Sequence, residues 1–209
     1  MNKIIFEIDD GVAILKLNHP QVLNAVGAEM LAELNEVALM LADPDSGARC
    51  LLVTGVGKGF CAGANLQERR GERRPGDSVL RDHYHPLLFK LRDLDMPIVT
   101  AVNGAAAGVG MSFAMLGDIV CATEEAYFLQ AFARIGLIPD GGATFMLPRM
   151  IGWGRAVELS MLAERLPAQK AHEWGLVNRL YPDPEALWAG AREIAGRLAK
   201  GPRSLALIR

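Results

Sequence analysis

From Met96 to Asp118 the chain reads MPIVTAVNGAAAGVGMSFAMLGD, an apolar run that passes through small residues and reopens with a different period. Pro97 to Val102 predicts a buried, β-branched strand. Asn103-Gly104 breaks it, and after Gly108-Val109-Gly110 the residues Met111, Ala114 and Met115 recur as on one face of a helix. A strand that turns through small residues into a helix leaves backbone N–H groups unpaired at the helix start, where the macrodipole favours negative charge. Such a turn also simply lets a helix pack closely on a sheet. A second stretch of the same kind, Lys58 to Leu66 (KGFCAGANL), follows the strand-like run Cys50 to Thr54. Two N–H donors from two separate turns are what an oxyanion hole requires.

Around these turns the elements alternate. Ile4 to Ile8 and Val12 to Leu17 flank Asp9-Asp10-Gly11, a hairpin signal. Helical spacing runs over Glu29 to Leu41, closed by Asp43-Pro44, and again over Val79 to Leu94. Short strands are predicted at Ile119 to Ala122 and Ala126 to Leu129. Helices are predicted over Thr144 to Met150, Arg155 to Leu162, Ala168 to Trp174 and Glu185 to Ala199. This order implies an α/β layered fold in one domain over residues 1–200. Residues 201–209 read as the start of a C-terminal helical segment cut within a helix.

With 51% apolar residues the chain has enough material for a sizeable core, and a net charge of −2 gives no field for nucleic acid or an anionic membrane. Cys50, Cys61 and Cys121 are odd in number and lie in apolar or glycine-rich surroundings, as reduced core thiols of a cytoplasmic protein do. The start, MNKIIFEIDDG, places acids directly after its apolar residues, unlike a signal peptide. The long apolar tract of 97–122 contains glycines, Asn103 and Asp118, which argue against a membrane span.

Nucleotide-binding loops do not fit. Lys58 is followed by Gly59 where a Walker loop needs Ser or Thr, and the glycine order does not match a dinucleotide fingerprint. His19, His83, His85 and His172 have no metal-ligand spacing. In QAFARIGLIPDGGAT, Pro139-Asp140-Gly141-Gly142 is a turn signal that also presents a carboxylate with little steric cover.

KGFCAGANL, AVNGAAAGVGMSFAMLGDI, FARIGLIPDGGATFMLPRMIG and AHEWGLVNRLYP, with HPQVLNAV near the start, closely resemble the enoyl-CoA hydratase/isomerase (crotonase) superfamily. The resemblance spans essentially the whole chain. It implies a crotonase-like spiral of ββα units with C-terminal helices, truncated here, and a homotrimer or hexamer. It also implies an acyl-CoA thioester substrate with no cofactor beyond the coenzyme A carried by that substrate. By the same resemblance the oxyanion-hole N–H groups fall at Ala64 and Val109, the latter where relatives usually have Gly. Ala25, Ala62, Asn65, Leu66, Ala105, Phe132 and Ile135 fall at substrate- or coenzyme A-binding positions. Arg69, Arg70, Arg73 and Arg74 are candidates to neutralise its phosphates.

Hydratases of the superfamily carry two glutamates that position and activate water; here those positions are Ser112 and Phe132. Asp140 instead matches the carboxylate of dienoyl-CoA isomerases and of phenylacetate-pathway ring-epoxide isomerases, to which QAFARIGLIPDGG is most similar. The expected chemistry is an isomerisation in which Asp140 removes and returns a proton while Ala64 and Val109 hold the enolate. Phe132, Leu137 and Ile138 are expected to line the pocket and keep water out. One alternative is a thioester hydrolase or an enzyme that resembles the 4-chlorobenzoyl-CoA dehalogenases, with Asp140 as nucleophile and His85 activating water, although those dehalogenases have Trp where this chain has Phe132. A catalytically silent coenzyme A-binding subunit is the alternative from outside enzymology.

Overall fold

The structure, a computed structural model, describes residues 1–68 and 80–209. β1 (Ile4–Asp9) and β2 (Val12–Leu17) form an antiparallel hairpin. Its tip residues Asp10 and Gly11 have φ of +47° and +76°, the left-handed pair that matches a tight turn to the strand twist. β2 then lies parallel to β3 (Cys50–Gly55). β3 leads into β4 (Gly59–Cys61), and β5 (Ile98–Val102) leads likewise into β6 (Ala105–Ala107). β7 (Ile119–Thr123) leads into β8 (Tyr127–Leu129). The longer strands, closed by β10 (Arg179–Tyr181), build a six-stranded sheet in the order β1-β2-β3-β5-β7-β10. The short ones, with β9 (Arg165–Pro167), build a second sheet in the order β4-β6-β8-β9. β3, β5 and β7 thus each hand over to a short strand before the chain turns away, which is the expected winding.

β4, β6, β9 and β10 were not predicted. Each has three residues, too few to show a period-two pattern, and Gly59 and the alanines of β6 have low strand propensity. Pairing with neighbouring strands makes them strands. β5 has no exposed residue and reads as one continuous apolar run, as a strand covered on both faces must.

Helices cover the sheets. α1 (Ala28–Ala42) places Met30, Leu34, Val37 and Leu41 on one buried stripe. One π-helical turn, Leu80–Tyr84, runs into α2 (His85–Arg92). α3 (Val109–Met115) is buried throughout. α4 (Ala143–Ile151) and α5 (Trp153–Leu162) pack on each other, followed by α6 (Ala168–Glu173) and α7 (Pro184–Ala199). The larger core lies among α1, α2, α3 and the two sheets, with Leu34, Leu51, Phe60, Met111 and Phe128 inside it. On the other face of the large sheet, α7 lays Leu187, Ala191, Ala195 and Ala199 against Val12, Leu52, Val99 and Cys121. The four-residue spacing keeps these small side chains on one face, so the helix comes close to the strands. Asp183 caps α7 by accepting the Ala186 N–H at 2.8 Å, with Pro184 in the first turn. Arg203–Leu207 form a 3-10 turn, and Arg209 reaches back to the carbonyls of Leu94 and Met96 at 2.9 Å each.

One buried side chain decides where the Lys58 to Leu66 stretch sits. Asn24 is fully buried with φ of +58°, a conformation Asn tolerates better than most residues. Its Oδ1 accepts the His19 N–H at 2.8 Å, and its Nδ2 donates to the carbonyls of Val56 at 3.0 Å and Gly59 at 2.7 Å. Its neighbours clamp the same stretch. Ala62 N–H donates to Leu23 O, Val26 N–H to Gly63 O, and Asn65 N–H to Val26 O, at 2.9, 2.7 and 2.9 Å. Asn24→Ala removes the partners of the Val56 carbonyl and the His19 amide and leaves the Gly59 carbonyl with Asn103 Nδ2 at 3.3 Å, at about 1–3 kcal/mol for each unsatisfied group. The expected loss is about 3 kcal/mol of unfolding free energy, read as a lower urea midpoint at unchanged slope. A loss below about 1 kcal/mol contradicts the clamp.

Candidate active site

The two small-residue turns meet through their glycines. Gly63 has φ of +99°, and a Cβ there would stand 2.8 Å from the carbonyl oxygen of Ala107 and 3.8 Å from the Cα of Gly108. A Cβ on Gly110 would overlap the carbonyl of Cys61. The end of β4 is therefore pressed against the start of α3, and side chains at 63 or 110 would force them apart. Gly108 N–H is taken by Leu129 O at 2.9 Å, and Val26 and Asn65 use their own amides to hold the 62–65 turn. Among the described residues, neither Ala64 nor Val109 gives its N–H to another group. Val109 is the first residue of α3, where the helix itself offers no acceptor.

The carboxylate arrives from a third segment. A 3-10 turn, Ala131–Ile135, follows β8 and is pinned by Arg134, whose Nε and one Nη both donate to the Ala163 carbonyl at the end of α5. The chain then bends through Asp140-Gly141-Gly142-Ala143. The Ala143 N–H closes this turn on Asp140 O at 3.1 Å, and Gly141 and Gly142 have φ of +60° and +82°. Only glycine adopts both conformations without strain. Asp140 is half-buried, and its Oδ1 is withdrawn from solvent.

Ala62, Ala64, Leu66, Val109, Phe132, Ile135 and Asp140, each expected at the site, line a single cleft of about 560 Å³, open mouth included. Ala25, Asn65, Ala105 and His85 do not line it. Ala25 and Ala105 are buried in the core. The Asn65 side chain donates to Glu68 Oε1 at 2.7 Å, while Glu68 Oε2 accepts the Ala28 N–H at the start of α1. His85 is exposed and packs edge-on against Phe89, with ring centroids 6.3 Å apart. The side chain that reaches the cleft from this element is Tyr84, 2% exposed, with its hydroxyl donating to Val26 O at 3.2 Å. Tyr84 was missed, yet Tyr84, Leu87, Leu88 and Leu91 have the spacing of one buried helical face. Leu137 borders the cleft although 51% exposed, whereas Ile138 is 82% exposed and stands outside it, so the expected lining holds for Phe132 and Leu137 only. Arg69, Arg70, Arg73 and Arg74 lie outside the described residues.

Among the described residues, the cleft lining is apolar apart from backbone groups, the phenol and one carboxylate. Burial pushes the thiol of Cys61, next to Ala62 in the chain, up to about 12, which disfavours the thiolate. Burial likewise raises Cys50 to about 12 and Cys121 to about 11. Among the described residues, no group of three His, Cys, Asp or Glu side chains could hold a metal ion, and no helix is long and apolar enough to cross a membrane.

Two mixed sheets wound from long-strand, short-strand and helix units, with the cleft where two such units touch, define the crotonase fold. The chain belongs to the enoyl-CoA hydratase/isomerase family, whose sequence profile matches residues 7–209. It is 43% identical over 207 residues to a 1,2-epoxyphenylacetyl-CoA isomerase of Escherichia coli K12, covering 97% of this chain and 78% of that protein. It is 33% identical over 206 residues to a 4-chlorobenzoyl coenzyme A dehalogenase of Arthrobacter, covering 97% and 74%. An enoyl-CoA hydratase of Bacillus anthracis has a similar crystal structure, with a TM-score of 0.91 at 30% identity, covering 99% of this chain and 80% of that one.

Proposed function

We propose that this chain is an acyl-CoA isomerase that shifts a double bond, of the 3-enoyl- to 2-enoyl-CoA or ring-epoxide phenylacetyl-CoA type, with Asp140 as its acid and base. The observation that carries the reading is the company Asp140 keeps. It shares one apolar cleft with the amide-bearing residues Ala64 and Val109, while Ser112 and Phe132 offer no second carboxylate.

The chemistry follows from charge. Taking a proton from the carbon chain of a thioester moves negative charge onto its carbonyl oxygen. The N–H groups of Ala64 and Val109 stabilise that oxygen, and the carboxylic acid of Asp140 returns the proton further along the conjugated system. Proton number and mass are unchanged, so one carboxylate suffices. The walls formed by Tyr84 and Phe132 exclude the water that would otherwise add to the product or quench the enolate. Similarity to the Escherichia coli isomerase supports this reading. The dehalogenase reading asks for a histidine near the carboxylate, and the exposed position of His85 argues against it.

A panel of 3-enoyl-CoA, 2-enoyl-CoA, a dienoyl-CoA, the ring epoxide and 4-chlorobenzoyl-CoA, followed by mass and NMR, tests the assignment. The expected result is rearrangement at constant mass. Addition of water to 2-enoyl-CoA as the main reaction, or release of chloride, would overturn it. Binding of every thioester without proton exchange would favour the silent subunit.

A further inference from the structure

We propose that Ser112 is a positioning residue that sets the place of the Asp140 carboxylate relative to the amide of Val109. The inference rests on the isomerase reading above and goes beyond it, assigning a task to a position where the superfamily's hydratases keep a glutamate.

Ser112 is fully buried in α3, between apolar neighbours in VGMSFAM. Its hydroxyl donates to the backbone carbonyl of Asp140 at 3.1 Å, the carbonyl that also accepts the Ala143 N–H at 3.1 Å. With both lone pairs engaged from two directions, the Asp140–Gly141 peptide plane is fixed. That plane sets the direction in which the Asp140 side chain leaves the main chain. The next residue is seated by the same turn of helix: a Cβ on Gly141 would stand 2.9 Å from Ser112 Oγ and 3.2 Å from Val109 Cγ2. Ser112 lies three residues after Val109, so both face the same side of α3. The helix that begins with the proposed oxyanion donor therefore also carries the seat of the proposed base, and the two move as one body. Buried from water, the hydroxyl has no competing solvent partner. Packing alone would be met by alanine, which leaves the Asp140 carbonyl with one hydrogen bond fewer.

The test compares Ser112→Ala and Ser112→Thr with the unchanged enzyme on an isomerisable enoyl-CoA in deuterated water. Small misplacements of a catalytic group cost up to roughly a hundredfold in rate. Ser112→Ala is expected to lower kcat by about 10- to 100-fold with KM within about threefold. It is also expected to raise the fraction of product carrying solvent deuterium, because a loosened carboxylate exchanges its proton before returning it. Ser112→Thr, which keeps the hydroxyl, is expected to recover most of both. Should Ser112→Ala not fold, Ser112→Cys, similar in volume and a weak donor, reads the same quantities. Wild-type kcat and label retention in the alanine or cysteine variant overturn the proposal. So does a fall in kcat matched by a rise in KM that Ser112→Thr leaves unrepaired. Turnover by Asp140→Asn, measured alongside, separates the two layers. If that variant is inert and Ser112→Ala is normal, only the positioning role falls; if Asp140→Asn turns over normally, the base assignment falls with it.

Discussion

Asp140→Asn is expected to lower isomerase kcat by about a thousandfold while leaving acyl-CoA affinity within a few-fold. General acid–base groups contribute roughly 10²–10⁴ in rate, and a single-base mechanism places that whole contribution on one side chain. The amide is close in shape to the carboxylate but does not take up a proton at neutral pH. The hydrogen bonds that shape the turn, from Ser112 and Ala143, go to the backbone carbonyl of residue 140, so the substitution leaves them in place. Steady-state turnover, with equilibrium binding of a non-isomerisable thioester, separates chemistry from affinity. A kcat within about threefold of the unchanged enzyme would mean that the base is elsewhere.

The second large effect is expected from Val109→Pro. An oxyanion donor on the backbone is hard to remove, because most substitutions keep the N–H. Val109 is the first residue of α3, the one helical position where proline fits well: its missing N–H has no intrahelical role and its fixed φ suits the helix start. The proline ring also fills much of the space of the valine side chain in the cleft. The variant is therefore expected to stay folded and lose about 3 kcal/mol of transition-state stabilisation, a fall of roughly a hundredfold or more in kcat. Circular dichroism and the urea midpoint check the fold, and turnover checks the donor. Unchanged turnover in a folded variant would remove Val109 from the oxyanion hole and leave the position of Asp140 untouched.

Asn24, Tyr84 and Ser112 tie segments far apart in the chain together around the cleft through side-chain hydrogen bonds. Asn24 reaches the carbonyls of Val56 and Gly59 and so places the β3–β4 connection. The Tyr84 phenol bonds to Val26, whose backbone in turn pairs with the 63–65 turn. Each bond joins segments dozens of residues apart, so no local pattern announces it. Ser112 and Phe132 are informative in sequence for what they are not, the glutamates of a hydratase. The contact between Ser112 and Asp140 becomes visible only when α3 meets the 140–143 turn.

Much of the molecule was legible without coordinates, because its determinants are local. Apolar residues three and four apart marked α1, α4, α5 and α7. An apolar run marked β3 and a β-branched one β5, and the glycines around residues 63, 108 and 141 marked turns that demand positive φ or close approach. Those motifs together also identified the family and nominated Asp140, Ala64 and Val109 as candidates. Tertiary structure alone decided which of the named residues share a cleft. It left Ala25, Asn65 and Ala105 out of the cleft lining, turned His85 outward and Tyr84 inward, and made three-residue segments such as β4 and β6 into strands. The reason is physical. Periodicity and turn chemistry depend on neighbours within a few residues, whereas a short strand or a pocket wall exists only through pairing and packing with distant parts of the chain.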